Sequence, residues 1–544
     1  MSTTSINIGV LCLAGVALGV APQAQQHQHP AGEKLGTVHF QTSCSSAAQA
    51  EFDRAMAWLH SFEFGPAITG FTTTATADPG CAIAYWGIAI SRWTNPFTAN
   101  IRPPAQIQQG LDAIAQAEKI GAKTDRERAY IAAASELYRD AVTLDQRARV
   151  VAYEKAMADL AAKYPDDREA SIFWALSLAM SAPPTDKTYA NQLKAGAILE
   201  KLYSGQPDHP GITHYIIHSY DVPALAERAE SAARRYAQIA PSAPHALHMP
   251  SHTFTRVGAW QDSIDTNISS AEAAGKGGAR AEELHAIDYM IYAYLQTGQD
   301  RAAQAVMRRI PEIAAKFDPT AVVGAAPGSA GVFALAAVPA RWALEHRDWK
   351  AAAALTPSPS RFLFPDAMTY FARALGASHT GALDVARSSI AALKDISDKL
   401  AQAGEAYWSE QVAIQRDGAA AFLLLAEGRD AEAIAAMRAT ASREDATDKN
   451  AITPGPIAPA RELLAEMLLE LKQPAAALTE FQATLKKEPN RFRAVYGAAK
   501  AASLAGDQAL AKTYYAELLK ICEHADAPGR PELVEARKVA GAAK

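Results

Sequence analysis

Histidine is the residue whose spacing in this chain could do chemistry. Seven of the 14 histidines fall between His209 and His285. Residues three or four apart on a helix share a face, so His214 with His218, and His245 with His248 and His252, each form a stripe. Neutral imidazole is the commonest transition-metal ligand and suits Zn, Cu, Fe and Ni. Packed helices lie about 8–10 Å apart, a gap that two facing imidazoles can bridge through an ion. One such pair alone would read as hydrogen-bonded helix histidines, whereas six rings converging on one wall read as ligands. The expected metal ligands are His214, His218, His245, His248, His252, His285 and, one turn beyond the last, Asp288. Six rings exceed the need of one tetrahedral ion, so one ion or two are expected, with Zn, Cu and Fe all open.

Other residues take supporting roles in this reading. Asp288, and Asp221 in the run HSYD, are the candidate bases; either could also be a ligand, a bridge or the acceptor that fixes an imidazole tautomer. Arg256, one turn past His252, could hold an anionic substrate group or form an ordinary salt bridge. His209, in the turn before the first stripe, is an uncertain bystander, and His60 lies far along the chain from the cluster. His346, His379 and His524 read as surface residues near turns. Trp86, Trp93, Trp174 and Phe97 read as inter-helix core, with a lesser prospect of walling a groove. No HExxH, GxSxG, CxxCH or glycine-rich phosphate loop is present, so no known hydrolase, oxidase or haem signature names the reaction.

The elements that must position these residues are helices. The chain has 544 residues, 49% hydrophobic and 20% charged, a folded composition with ample core material. Its net charge of −5, with no basic block, disfavours nucleic acid and anionic membranes as partners. Past residue 45 apolar residues recur at i, i+3, i+4 and i+7, which predicts an all-α fold. A period of 34 is present: Pro207 and Pro241, Pro210 and Pro244, His214 and His248, and His218 and His252 are each 34 apart.

The side chains at matching places carry a family likeness. Ala55, Trp58, Phe64, Ala67, Phe71 and Pro79 form one unit; Ala465, Ala477, Phe481 and Pro489 another; Gly506, Ala511, Tyr515 and Leu518 a third. The sequence resembles the tetratricopeptide repeat (TPR) over about three quarters of residues 45–525, and is similar to exported bacterial TPR proteins of mostly unassigned role. The resemblance implies a right-handed superhelix of antiparallel helix pairs, interrupted by a few loop insertions. It also implies that the second, fifth and ninth residues of each first helix face a concave groove. With Pro210, Pro244 and Leu284 as first residues, those places hold Gly211, His214 and His218, then His245, His248 and His252, then His285, Asp288 and Tyr292. Tyr292 thereby joins Arg256 as a candidate substrate contact. TPR grooves commonly take peptides, so the expected partner is a small-molecule or peptide ligand in the groove.

Domain expectations follow from composition. Residues 1–24, with a 14-residue apolar run from Ile8 to Ala21, read as a signal peptide too short for stable membrane insertion. Residues 25–44 read as a flexible polar segment. Residues 45–317 form an N-terminal array with its histidine-rich groove at 210–300. Residues 318–332 are a Gly/Pro-rich linker or lid, 333–525 a C-terminal array, and 526–544 a tail. Export would let Cys44 and Cys81 pair, or they could remain buried thiols beside Cys522. Three functions fit: an exported metal-dependent enzyme, hydrolytic or oxidative; a non-catalytic metal carrier; and a peptide-binding scaffold without metal.

Overall fold

The computed structural model describes residues 1, 32–98 and 101–541. The expected signal peptide lies outside the described residues. Two compact units are distinguished, Met1–Glu33 and Lys34–Lys544, and everything below concerns the second. It is all-α, and no strand occurs among the described residues. Helices follow one another as antiparallel pairs joined by short turns, the TPR-type arrangement that the 34-residue period predicts. No helix among the described residues is long and apolar enough to cross a membrane.

The repeat signature residues are the core. Ala55, Ala67, Phe71, Ala465, Ala477, Phe481, Ala511, Tyr515 and Leu518 are all buried. Small residues admit large ones between hairpins: a Cβ on Gly87 would lie 2.6 Å from the Phe71 ring, and Gly497 stands in the same relation to Phe481. Gly258 and Gly298, at φ of 70° and 67°, end the helices Pro250–Val257 and Arg280–Thr297 in the left-handed region that favours glycine.

Several boundaries differ from expectation. Residues 34–44, placed in a flexible polar segment, run extended over the array and bury Leu35, Val38 and Phe40. Cys44 and Cys81 form a disulfide that ties this strap to the start of the helix Ala82–Trp93, and Cys522 is a buried free thiol. The helix Gly328–Glu345 takes up the end of the 318–332 segment and packs on Arg280–Thr297, so the array continues across it. Within the tail, Pro531–Gly541 is a helix that buries Leu533 and Ala536.

Two insertions fold back over the inner wall. Val323 accepts a hydrogen bond from the Gly65 N–H at 3.1 Å, and the Ala326 N–H donates to Glu282 Oε2 at 2.6 Å. From the other side, Tyr289 Oη donates to the carbonyls of Ala451 (3.2 Å) and Thr453 (2.9 Å). Arg341 donates to the carbonyls of Gly455 and Pro456 at 2.9 and 3.0 Å.

Candidate metal centre

Three helical hairpins deliver the six histidines. Pro210–Ser219 carries His214 and His218; its first residue is proline, which needs no N–H there, and the His209 ring caps it by accepting from the Ile212 N–H. The next first helix is broken: Pro244–His248 and Pro250–Val257 flank Met249, because Pro250 cannot donate into the helical ladder. His252 still follows His248 on one face, and the two Nε2 atoms lie 3.1 Å apart. Arg280–Thr297 carries His285.

The rings form two adjoining triads, His214–His218–His245 and His248–His252–His285, in each of which one ligand atom per ring lies within 4.8 Å of the others. The triads share an edge: ring centroids are 6.0 Å apart for His218 and His252, and 5.9 Å for His245 and His248. None of the six is more than 7% exposed.

The outer nitrogens fix the tautomers. His214 Nδ1–H donates to the His60 carbonyl at 2.7 Å, His245 Nδ1–H to Glu282 Oε1 at 3.0 Å, and His252 Nδ1–H to Asp221 Oδ2 at 2.9 Å. His248 Nδ1–H donates to Asn267 Oδ1 at 2.7 Å, since the Asn267 amide nitrogen is turned to the Ser263 carbonyl. A neutral ring that donates from Nδ1 keeps a bare lone pair on Nε2. The Nε2 atoms of His214, His218 and His245 and the Nδ1 of His285 are buried with no hydrogen-bond partner among the described residues. His248 and His252 turn two lone pairs toward each other. Burial holds all six below their ordinary pKa of 6.5; repulsion from neighbouring rings adds to it at His214, His218, His245, His248 and His285, while Asp221 works against it at His252, so the rings are neutral near pH 7. An inward set of bare lone pairs is what a metal cation requires and what water-free packing does not.

A third cluster, His60–Glu169–His209, is equally buried but differs in kind. His60 and His209 each donate from Nε2 to Glu169 at 2.9 Å, and their Nδ1 atoms accept from Tyr215 Oη and the Ile212 N–H. Every ring nitrogen is engaged. Burial would raise the Glu169 carboxyl, but the two histidines outweigh it and hold it down. The cluster is a hydrogen-bonded clamp that sets the His60 carbonyl against His214. Sequence reasoning set His60 aside as remote, but the superhelix returns the end of the first helix to the histidine wall.

The carboxylates expected at the centre divide. Asp221 holds His252 and is held by Arg256 Nε at 2.9 Å and Lys449 Nζ at 3.2 Å. These cations outweigh burial and keep it ionised. Asp221 is thus the tautomer-fixing acceptor among the roles open to it, and Arg256 is spent on a buried ion pair. Asp288 lies outside both triads: it pairs with Arg341 at 3.1 Å, and burial raises its pKa. Tyr292 likewise turns away, accepting from Arg491 Nη1 at 3.0 Å. Asp288 and Tyr292 share the helical register of His285 but are engaged by Arg341 and Arg491, which reach them from other helices.

Sequence reasoning missed Glu282, Glu63 and Asn267. Glu282 stands one turn before His285 and carried that spacing signal; Glu63 and Asn267 reach the site from other helices and had none. Glu63 accepts the His245 N–H at 3.0 Å, and its carboxyl is pushed up to about 8 by burial and by Glu282. Apolar rings close the first triad: Phe97 stacks on His218 at 4.0 Å, and Phe62 meets His214 at 4.4 Å. Phe97 therefore walls the site, while Trp86 and Trp93 are core. His379 stacks on Trp349 at 3.8 Å instead of standing at the surface.

No family model matches the chain, and no curated protein matches it. Among solved structures it is similar to the human IFIT1 dimer with PPP-AAAA, at 10% identity over 81% of this chain and 90% of that one, with a TM-score of 0.35. It is similar also to the APC/C hetero-tetramer Cut9–Hcn1, at 11% identity, 91% and 90% coverage and a TM-score of 0.32. A third such structure is Naa15/Naa10 bound to HypK-THB, at 12% identity, 91% and 74% coverage and a TM-score of 0.24.

Proposed function

We propose that this is an exported, metal-dependent enzyme whose helical array holds two transition-metal ions, one in each three-histidine triad, and acts oxidatively on a small substrate. The observation that carries the reading is the set of buried, partnerless ring nitrogens turned inward from six histidines. Three protein ligands per ion leave a position open, as catalytic sites do, whereas structural sites are closed by four. The donor set argues for copper. Six neutral rings supply no negative charge, and burying two dications among them costs more than burying two monovalent ions, which favours Cu(I) over Zn(II) and Fe(II). When bound, copper supplies one-electron redox chemistry and affinity for dioxygen. The residues of the chain do the rest: the His60 carbonyl, Glu282, Asn267 and Asp221 orient the rings, while Phe62 and Phe97 exclude water. Export is supported by the apolar amino-terminal run and by the Cys44–Cys81 disulfide, since such bonds persist in oxidising compartments.

The test is elemental analysis of protein purified without a nickel column, beside a His214→Ala, His248→Ala variant. Two equivalents in the parent and loss in the variant are expected; negligible metal in both overturns the proposal. The burial of all six rings favours a second reading, a non-catalytic metal holder. A catalytic pair, once oxidised, would change its absorption spectrum on adding azide and would consume dioxygen with a reductant, and a holder would do neither. The peptide-scaffold reading loses support because the chain's own insertions cover the wall that a peptide would occupy.

A further inference from the structure

The two histidine triads are covered differently. Over the second, Tyr289 packs against His248, His252 and His285 with ring centroids 4.8, 5.0 and 5.2 Å away, and its hydroxyl is tied to the Ala451 and Thr453 carbonyls. Over the first, the Phe97 ring lies on His218 at 4.0 Å with an interplanar angle of 14°. Phe97 has no polar tip to tether it and is only half-buried. His218, at 7%, is the most exposed of the six rings. A buried metal site needs an entry path, and these contrasts single out Phe97.

A cavity of about 190 Å³ adjoins that loop, with Thr94 and Thr98 on one wall and residues 324–329 on the other. Both walls lead to the first triad. Thr98 follows Phe97 in the chain, and a Cβ added to Gly324 would lie 3.5 Å from carboxylate oxygens of Glu282 and Glu63, which hold His245. A dry cavity of about 150 Å³ admits benzene, so this one has room for a solute of one ring. Ser329 Oγ lines it, buried and with no hydrogen-bond partner among the described residues, and offers such a solute one polar contact. The loop that carries Phe97 is also strained at its start. Thr94 has φ 60° and ψ −162°, a conformation that suits glycine and costs a β-branched residue. Arg102 holds the loop in place by donating to the carbonyls of Trp93, Asn95 and Thr98. Strain of this kind gathers where a segment clamps a ligand or switches.

We propose that Phe97 is the gate of the first triad and that the cavity beside it is the vestibule, which admits the ion and solutes no larger than one ring. The first ion is then the one that meets substrate, while the second stays sealed under Tyr289. The gate opens onto empty rings as it does onto filled ones, so it is testable without metal; its catalytic consequence rests on the metal reading above.

Diethyl pyrocarbonate, a small reagent that acylates neutral imidazole, tests the gate on the whole metal-free protein, with peptide mass spectrometry reading each histidine. His218 should be modified faster than His248, His252 and His285. Phe97→Ala should raise the His218 rate about tenfold, the factor that the lost ring stack is worth. Phe97→Trp, which lays a larger ring on His218, should lower it, and neither variant should move the second triad. If Phe97→Ala loosens the array and speeds every histidine alike, Phe97→Trp decides, since only a gate slows His218 selectively. A parent His218 no faster than the second triad, or no selective change in either variant, overturns the proposal. On the metal-loaded protein a chelator should remove the two ions in two phases, of which Phe97→Ala speeds only the faster. Absence of metal from the parent defeats the metal reading and leaves the gate to the modification rates, whereas two bound ions that leave in one phase defeat the gate.

Discussion

Replacing His218 or His285 by leucine should change stability in opposite directions with and without metal. The two residues represent one triad each, and among the described residues neither ring makes a hydrogen bond, so the substitution deletes none. What it deletes is a buried, partnerless nitrogen: Nε2 of His218 and Nδ1 of His285. Such an atom costs about 1–3 kcal/mol. Leucine refills most of the ring volume, with a shape mismatch of about 1 kcal/mol against it. For His218 the flat stack on Phe97 is lost as well, worth about 0.5–1.5 kcal/mol. The metal-free His285→Leu protein should therefore match or exceed the parent by about 1 kcal/mol, with His218→Leu close to the parent. With free metal at about 1,000 times its Kd, the parent gains about 4 kcal/mol per ion, an increment that each variant forfeits at its own triad. The order of melting temperatures consequently inverts between chelator and metal. Thermal unfolding in the two conditions reads this directly, using melting temperature because a repeat array need not unfold in two states. If both variants melt lower in chelator, and metal adds nothing to the parent, the rings are packing residues and the reasoning is wrong.

Asp221→Asn should weaken metal binding at the second triad about 10–100-fold while sparing the first, because it replaces the carboxylate that fixes His252 by a neutral, weaker acceptor; competition against a calibrated chelator would show one weakened step of two, and two equally weakened steps would contradict it. Gly211→Ala should act on the first triad instead, since the added Cβ would run into the His60 ring and shift the carbonyl that orients His214; the same titration checks it. The metal-free protein should lose stability as pH falls below 6.5, the ordinary value from which its buried rings are depressed. Unfolded rings take up protons there and folded ones do not, so stability is complete above that pH and falls by about 1.4 kcal/mol per unit per ring beneath it; urea midpoints between pH 5 and 8 measure the slope, and a flat profile rejects it. Removing the Cys44–Cys81 bridge, which spans 37 residues, should cost about 4 kcal/mol on the loop-closure relation, read as a lower melting temperature of the Cys44→Ser, Cys81→Ser variant.

How much of this was legible in the sequence depends on where each partner comes from. The array was legible because the period repeats the same core choices, Ala67 and Phe71 in one unit and Ala477 and Phe481 in another. The six histidines were legible because helical spacing and the 34-residue period put them on one wall. Asp288 and Tyr292 were drawn into the same register, yet Arg341 and Arg491, from elements far along the chain, turn them away. His60 was dismissed by its distance in sequence, and only the superhelix brings its carbonyl to His214. Glu63 and Asn267 reach the centre from outside the first helices, where no periodic signal points. The strap at 34–44 was hidden by its polar composition, although Leu35, Val38 and Phe40 alternate sparsely enough to miss a helical pattern and still pack.

The closing of the inner wall is itself an argument about ligands. Histidines on an open concave face would keep their water, and nothing would follow from their number. Here the insertions at 318–327 and 446–459 cover that face, and the helix that carries His285 anchors both. Glu282 takes the Ala326 N–H, Tyr289 takes hold of the Ala451 and Thr453 carbonyls, and Asp288 holds the Arg341 that grips Gly455 and Pro456. Closure strips water from four ring nitrogens without giving them partners, at about 1–3 kcal/mol each. Three polar residues of one helix make that desolvation permanent, which supports the proposed metal as the group that would supply the missing partners. Asp288, whose spacing suggests a ligand, thus serves the centre by shutting it.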